Sequence, residues 1–405
     1  MNRRHLLMLA LIFLSATPPL RLSAQARART LGIPFDGTPG PLNAITDLAG
    51  VEVGHATIIR GDGRLVVGQG PVRTGVTAVF PRGKQSAHDV MAAWFTLNGN
   101  GEMTGTAWVE ESGFLGGPVM ITNTHSVGTV HQATIEYVVR QGKAFSWSLP
   151  VVAETWDGPL NDINGFHVKP DHIREAIENA RGGPVPEGSV GGGTGMVCNG
   201  FKGGIGTSSR VMDVGGTPYI VGVLVQCNYG RRSQFKVAGI PWALADAPMR
   251  PGACYEIEPS AGAERFPRCD TGRDGEDPEE RGSIIIVVGT DAPLLPHQLK
   301  RVARRAALGI GRLGGIGGNS SGDIFIAFST ANRGGNPDTG AVQVTMLAND
   351  AINPLFDATI QATEEAILNA MVAARDMVGA DGLRMPALPH DKVRALLAKH
   401  GRLVN

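Results

Sequence analysis

Gly282 and Ser283 stand at the joint between two very different stretches of chain. Before them runs a polar, charge-dense segment, Ala263 to Glu280. After them comes an unbroken β-branched run, Ile284 to Val288, of the kind that forms a buried strand. Glycine is the least hindered acyl group a chain offers, and the Ser283 hydroxyl lies next to the Gly282 carbonyl. Attack there, an N-to-O acyl shift and hydrolysis would release the Gly282 carboxylate and leave Ser283 as a new N-terminus. Ser283 would then carry both a nucleophile and a base, its own α-amine, which titrates near ~7.7–8 in model compounds. Proximity would supply most of the first step, because both groups share one dipeptide. The competing reading is a loop entering a core strand.

Three further places hold groups that such chemistry needs. Pro150 to Ala153 is a short apolar run ending in Glu154, Trp156 and Asp157. Strand ends are where open α/β sheets place ligand groups, and a turn with solvated acids is the alternative. Asn228 follows another buried run, either as a turn former or as a neutral donor to a developing oxyanion. Ser321-Gly322-Asp323 reads as a simple turn, or as a hydroxyl relay backed by a carboxylate. The glycine-rich run Gly188 to Gly195 lacks the Lys-Ser/Thr of a phosphate loop, and reads as backbone that approaches a substrate or a neighbouring strand closely. His125 reads as a capping or packing residue at a helix start.

The elements that must position these groups follow from periodicity. Val51–Ile59, Leu65–Val67, Val76–Phe80, Pro118–Thr122, Tyr219–Gln226, Ile324–Phe328 and Ala341–Met346 read as strands. Ala87–Leu97, Val127–Gln141 (closed by Gly142), Asp171–Ala180, Pro296–Arg312, Asp357–Val378 and Pro389–His400 read as helices. In Pro296–Arg312 one face carries Leu299, Val302, Ala303, Ala306 and Ile310, and the other a solvated basic row, Lys300, Arg301, Arg304 and Arg305. In Asp357–Val378 the core candidates are Ile360, Ile367, Met371, Ala374 and Met377. Residues 27 to 50 form an extended lead-in. Strands and helices alternate through the chain, so an α/β or α+β layered sandwich is expected.

Composition narrows the partners. Residues 1–26 read as a removable export signal: Arg3 and Arg4, the apolar stretch Leu6–Leu14, and the small-x-small site Ala24-Gln25-Ala26. That stretch is too short to remain as a membrane helix, so a soluble periplasmic or secreted protein is expected. Of 37 basic residues, three arginines lie in the signal, leaving 34 against 37 acidic ones. This is no nucleic-acid footprint. No metal-ligand spacing occurs among the ten histidines, and no cofactor is expected. Cys254 and Cys269 form a plausible disulfide in an oxidising compartment, whereas Cys198 and Cys227 read as small buried side chains.

The motifs, taken together, carry a resemblance. Gly282-Ser283-Ile284-Ile285-Ile286-Val287-Val288 with Thr290-Asp291-Ala292-Pro293-Leu294 resembles the self-cleaving junction of the L-aminopeptidase/D-esterase family, which includes the β-aminopeptidases. The likeness continues in Pro41–Asp47, Ile121–Gly128, Glu154–Gly158, Val190–Met196, Val225–Gly230 and Ser321–Asp323, in one order over nearly the whole mature chain. It implies a four-layer αββα sandwich, shared with ornithine acetyltransferases. It also implies cleavage into a larger chain (27–282) and a smaller one (283–405), and a ring of such αβ pairs, expected to number four. By motif, Ser283 would be the nucleophile, Ser321 and Asp323 its proton relay, Asn228 the oxyanion donor, Glu154 the partner of the substrate amine and Trp156 a pocket wall. The chain departs from the family pattern in three places. Asp323 stands where some members have Glu, Cys227 where Ala is usual, and the segment from Cys254 to Glu280 is longer.

The expected function is therefore an exported serine aminopeptidase or amidase acting on short peptides, amides or esters with a free amine. The rivals are an acyltransferase of the ornithine acetyltransferase type, whose junction carries threonine, and a non-catalytic exported binding protein.

Overall fold

The computed structural model describes residues 25–141, 147–245, 252–263, 266–271, 282–337 and 339–404. The export signal through Ala24, the Gly142 helix stop and the acidic stretch 272–280 lie outside them. In chain order the strands are β1 (Glu52–Arg60), β2 (Val72–Phe80), β3 (Val90–Gly99), β4 (Phe114–Leu115), β5 (Val119–Asn123), β6 (Val151–Thr155), β7 (Val197–Cys198), β8 (Phe201–Lys202), β9 (Gly204–Val214) and β10 (Thr217–Asn228). They continue as β11 (Lys236–Val237), β12 (Ile240–Pro241), β13 (Cys254–Tyr255), β14 (Ser283–Thr290), β15 (Gly322–Ser329), β16 (Met377–Val378) and β17 (Leu383–Met385). The helices are α1 (Thr106–Ser112), α2 (Val127–Arg140), α3 (Pro170–Glu178), α4 (Pro296–Arg312), α5 (Asn353–Ala373) and α6 (His390–Lys399).

Two sheets carry the fold. One has four strands in the order β1-β2-β5-β6; the other has six, β4-β3-β15-β14-β10-β9. Alternation along each strand sends side chains to two different cores. In β14, Ile285 and Val287 join Val79, Ile121 and Ala153 between the sheets, while Ile284, Ile286 and Val288 face α4 and α5. The far side of the four-stranded sheet packs Val76 and Val152 against Ala133 of α2 and Ile173 of α3. The layers run helix, sheet, sheet, helix: the expected αββα sandwich.

Several readings need correction. Residues 87–97 are not helical. They lie largely in β3, whose pairing with β15 overrides the helical preference of Met and Ala. Leu65–Val67 holds only an isolated bridge from Val66 to Gly70, between Gly63, Gly68 and Gly70 in left-handed conformations. Ala341–Met346 forms no strand: it has no strand partner among the described residues, the Thr345 backbone is bonded by the Asn332 side chain instead, and Val342, Val344 and Met346 are exposed. The 357–378 helix stops at Ala373, and Met377–Val378 pairs with β17 instead. The basic row of α4 is less free than expected, since Arg305 lies 3.8 Å from the Phe356 ring centroid and Arg304 5.2 Å from that of Phe95. Cys198 and Cys227 are joined as a disulfide, because β7 lies beside the end of β10; Cys254 and Cys269 pair as expected. The glycine-rich run wedges between the sheets, where a Cβ on Gly192 would lie 2.2 Å from Gln226 Oε1 and one on Gly193 2.5 Å from Ile205 N.

Candidate active site

Ser283 opens β14 and shares the parity of Ile285 and Val287, which turns it toward the space between the sheets. Register sets Asn228 of β10 on one side of it and Gly322 of β15 on the other. The Gly322 N–H donates to Ser283 Oγ at 3.1 Å. Gly282 is the only residue type that passes here, because a Cβ on it would lie 1.6 Å from the Asn228 carbonyl oxygen. Ser321 and Asp323 flank Gly322, both buried, and the Ser321 hydroxyl donates to Asp323 Oδ1 at 2.6 Å.

Asn228 is held at both ends of its amide. Its Oδ1 accepts from the Val197 N–H at 2.7 Å, and its Nδ2 donates to the Trp156 carbonyl at 2.9 Å. Among the described residues the second Nδ2 hydrogen has no acceptor, so a further one can be served.

Glu154 is the penultimate residue of β6 and is 3% exposed. Its Oε1 accepts from the Glu102 N–H at 3.0 Å and its Oε2 from the Thr124 hydroxyl. Burial pushes its carboxyl above the ordinary range, and those two donors pull the other way. Trp156 is half-buried, its indole lying so close to Gly158 that a Cβ there would come within 2.6 Å of it. Glu154, Trp156 and Ser283 line one cavity of about 520 Å³, together with Asn100, Gly101, Glu102, Thr124 and Ser320.

The structure thus brings Ser283, Asn228, Glu154 and Trp156 together, with Ser321 and Asp323 on the strand beside that of Ser283. Neither strand-end acid is solvated. Asp157 is buried away from the cavity wall, with Asn161 Nδ2 donating to its Oδ1 at 3.0 Å and Asn123 Nδ2 to its Oδ2 at 3.1 Å. Burial pushes its carboxyl up to about 6. His125 is exposed and stacks on Phe166, 6.1 Å between centroids. Sequence reading gives Asn98–Gly101 as a turn but does not place it at the cavity, and it gives Thr124 no role there. That turn is clipped to the loop before β15 by Asn100, whose Nδ2 donates to the Ser320 carbonyl at 2.8 Å and whose N–H donates to the Ser321 carbonyl at 3.3 Å. The Asn-Gly-Asn-Gly signal was visible, but it spoke only of a turn.

A serine opening a central strand of an αββα sandwich, beside a cavity with a buried carboxylate, defines the class: a serine hydrolase of the N-terminal-nucleophile-like architecture. The model of Peptidase family S58 matches residues 43–385, and the chain belongs to that family. It is a hydrolase, a serine aminopeptidase by family. The beta-peptidyl aminopeptidase BapA of Sphingosinicella microcystinivorans is 53% identical over 382 residues, 93% of each chain. The enzyme of the same name from Sphingosinicella xenopeptidilytica is 46% identical, over 97% of this chain and 95% of its own. Among solved structures, the L-aminopeptidase D-Ala-esterase/amidase of Ochrobactrum anthropi, described as a prototype of serine aminopeptidases and a variant of the Ntn hydrolase fold, superposes with a TM-score of 0.82 at 46% identity, covering 93% of this chain and 99% of that one. A Burkholderia sp. beta-aminopeptidase gives 0.79 at 42% identity, with the same coverage.

Proposed function

We propose that the chain is exported, cuts itself between Gly282 and Ser283, and then releases N-terminal residues from short peptides, amino-acid amides or esters. The observation that carries this reading is the single cavity shared by Ser283, Glu154 and Trp156. In the first step Ser283 Oγ attacks the Gly282 carbonyl carbon and its proton passes to the Ser321–Asp323 relay. The C–N bond breaks, the Ser283 nitrogen takes a proton, and water splits the resulting ester into the Gly282 carboxylate and a free hydroxyl.

In turnover the new α-amine takes the Oγ proton while Oγ attacks the substrate carbonyl. The second Nδ2 hydrogen of Asn228 meets the oxyanion, a role whose loss typically costs ~10²–10³ in rate. The leaving amine or alcohol receives the proton, and water then releases the acyl group. Glu154 pairs with the substrate ammonium, which explains why a free amine is required: a blocked terminus would leave a buried carboxylate without its counter-ion. The likeness to beta-peptidyl aminopeptidases extends the proposed substrates to peptides beginning with a β-amino acid. Four αβ pairs in a ring are the proposed assembly, and 1–26 the proposed signal.

Mass spectrometry of the purified protein tests the central step. The expected result is two chains, the smaller running from Ser283 to Asn405, with Ser283→Ala remaining a single inactive chain. An intact wild-type chain that still hydrolyses amides would overturn self-cleavage, and an intact inactive one would return the binding-protein rival.

A further inference from the structure

Lys202 lies in β8, fully buried, and no step above uses it. Its Nζ donates to the Met196 carbonyl at 2.7 Å and the Gly203 carbonyl at 2.9 Å, and reaches the Gly193 carbonyl at 3.5 Å. Met196 and Gly203 close one tight reversal, in which β7 and β8 pair Val197 with Lys202 and the Gly203 N–H returns to the Met196 carbonyl at 2.8 Å; Gly193 lies in the turn just before it. Val197 is the residue whose N–H fixes Asn228 Oδ1. The next residues on either side of that hydrogen bond, Cys198 and Cys227, are joined covalently. The reversal is also pressed against β10, since a Cβ on Gly203 would lie 2.4 Å from the Cys227 carbonyl oxygen.

A buried ammonium is an expensive way to fill space, and an apolar side chain of similar length would do it at lower cost. Burial pushes the Lys202 ammonium down to about 7, with Asp157 pulling upward. What the lysine supplies, and an apolar chain cannot, is several donors converging on carbonyls of one short loop. The geometry points to Lys202 as a positioning residue. By pinning the Met196 and Gly203 carbonyls it holds the Val197 N–H in place. Together with the Trp156 carbonyl that accepts from Nδ2, that N–H sets which end of the Asn228 amide faces β7 and therefore where Nδ2 points. An amide turned end for end would present Oδ1 to the oxyanion and repel it. The Cys198–Cys227 crosslink fixes the same loop from its other side. The inference rests on the proposed oxyanion role of Asn228.

The test compares Lys202→Met, Lys202→Gln and Asn228→Ala by extent of self-cleavage, kcat and KM on an amino-acid p-nitroanilide, and thermal midpoint. Lys202→Met should slow self-cleavage and lower kcat at least tenfold with KM within about twofold, because an oxyanion contact acts mainly in the transition state. Lys202→Gln, which keeps donors for the carbonyls, should fall between Lys202→Met and wild type. If Lys202→Met does not fold, Lys202→Gln decides: a lowered kcat at unchanged KM supports the inference, and wild-type kcat overturns it. Folded lysine variants that cut and turn over normally, while Asn228→Ala is slow, would overturn the inference and leave the reading of Asn228 standing. An Asn228→Ala enzyme at wild-type rates would overturn both.

Discussion

Glu154 is buried and yet keeps two donors, Thr124 Oγ1 and the Glu102 N–H, that favour its ionised form. Burial dominates, so the free carboxyl titrates above the ordinary glutamate range. If it is the anchor for a substrate ammonium, affinity should be full above that raised value and fall as pH drops through it, because protonation removes the partner charge. The cavity is already formed in the uncut chain, so binding can be read without turnover. An amino-acid amide titrated calorimetrically into Ser283→Ala should bind progressively more weakly from neutral toward acid pH. Glu154→Gln should bind at least tenfold more weakly at neutral pH, with a flat profile. An N-acetylated amide should not bind either protein well. Equal affinity for free and acetylated ligand would remove the anchoring role.

Where β14 begins decides whether Ser283 reaches the cavity, and Gly282 decides where β14 begins. A Cβ at 282 cannot coexist with the Asn228 carbonyl at 1.6 Å, so Gly282→Ala must push the chain out of register at its first pair. The expected outcome is a folded precursor whose self-cleavage is lost, with a thermal midpoint close to that of Ser283→Ala; normal cleavage of the alanine variant would show that the pairing at Ser283 is dispensable. This strand was the most legible element, because five consecutive β-branched residues leave few alternatives, and the helical stripe of α4 was equally plain. β3 was not legible: Met91, Ala92 and Ala93 favour a helix locally, and only β15 across the sheet makes them a strand. Nor was β9 singled out as a strand. Its glycines look like turn residues until α5 is in place, where a Cβ on Gly206 would lie 2.0 Å from the Ala366 carbonyl oxygen. The candidate residues Ser283, Glu154, Asn228 and Ser321 were singled out through motifs, while Thr124 was passed over because nothing local marks a threonine whose hydroxyl will meet a carboxylate 30 residues on. The Cys198–Cys227 pairing needed the knowledge that β7 lies beside the end of β10.

The six-stranded sheet interleaves the two segments that the proposed cut would separate. β14 and β15 would belong to the smaller chain, and they are flanked by β3 on one side and β10 on the other, both of which would belong to the larger chain. Cleavage at Gly282 therefore frees an end without freeing a chain, and the fragments should co-elute on native gel filtration and part only on denaturation. The N-terminal arm adds a second tie. Arg27 pairs with the buried Glu187 through Nε at 2.9 Å and donates through its other nitrogens to the carbonyls of Leu42, Asn43 and Thr207, the last on β9. The Ala28 N–H donates to Asn369 Oδ1 at 2.9 Å, and Arg29 forms a two-point pair with Glu365, both acceptors lying on α5 of the smaller chain. Arg27 sits immediately after the proposed signal cut, so processing position and stability are linked. Removing its side chain takes the counter-ion from a carboxyl that burial already pushes up to about 7, and above that pH breaking such a buried pair costs about 3–5 kcal/mol. Arg27→Ala, and equally a chain trimmed to begin at Ala28, should lose about that much in denaturant unfolding, whereas Arg27→Ala combined with Glu187→Gln should recover part of it because no buried charge is left unpaired. A loss under 1 kcal/mol in Arg27→Ala would show that the arm merely lies on the sandwich and does not clasp it.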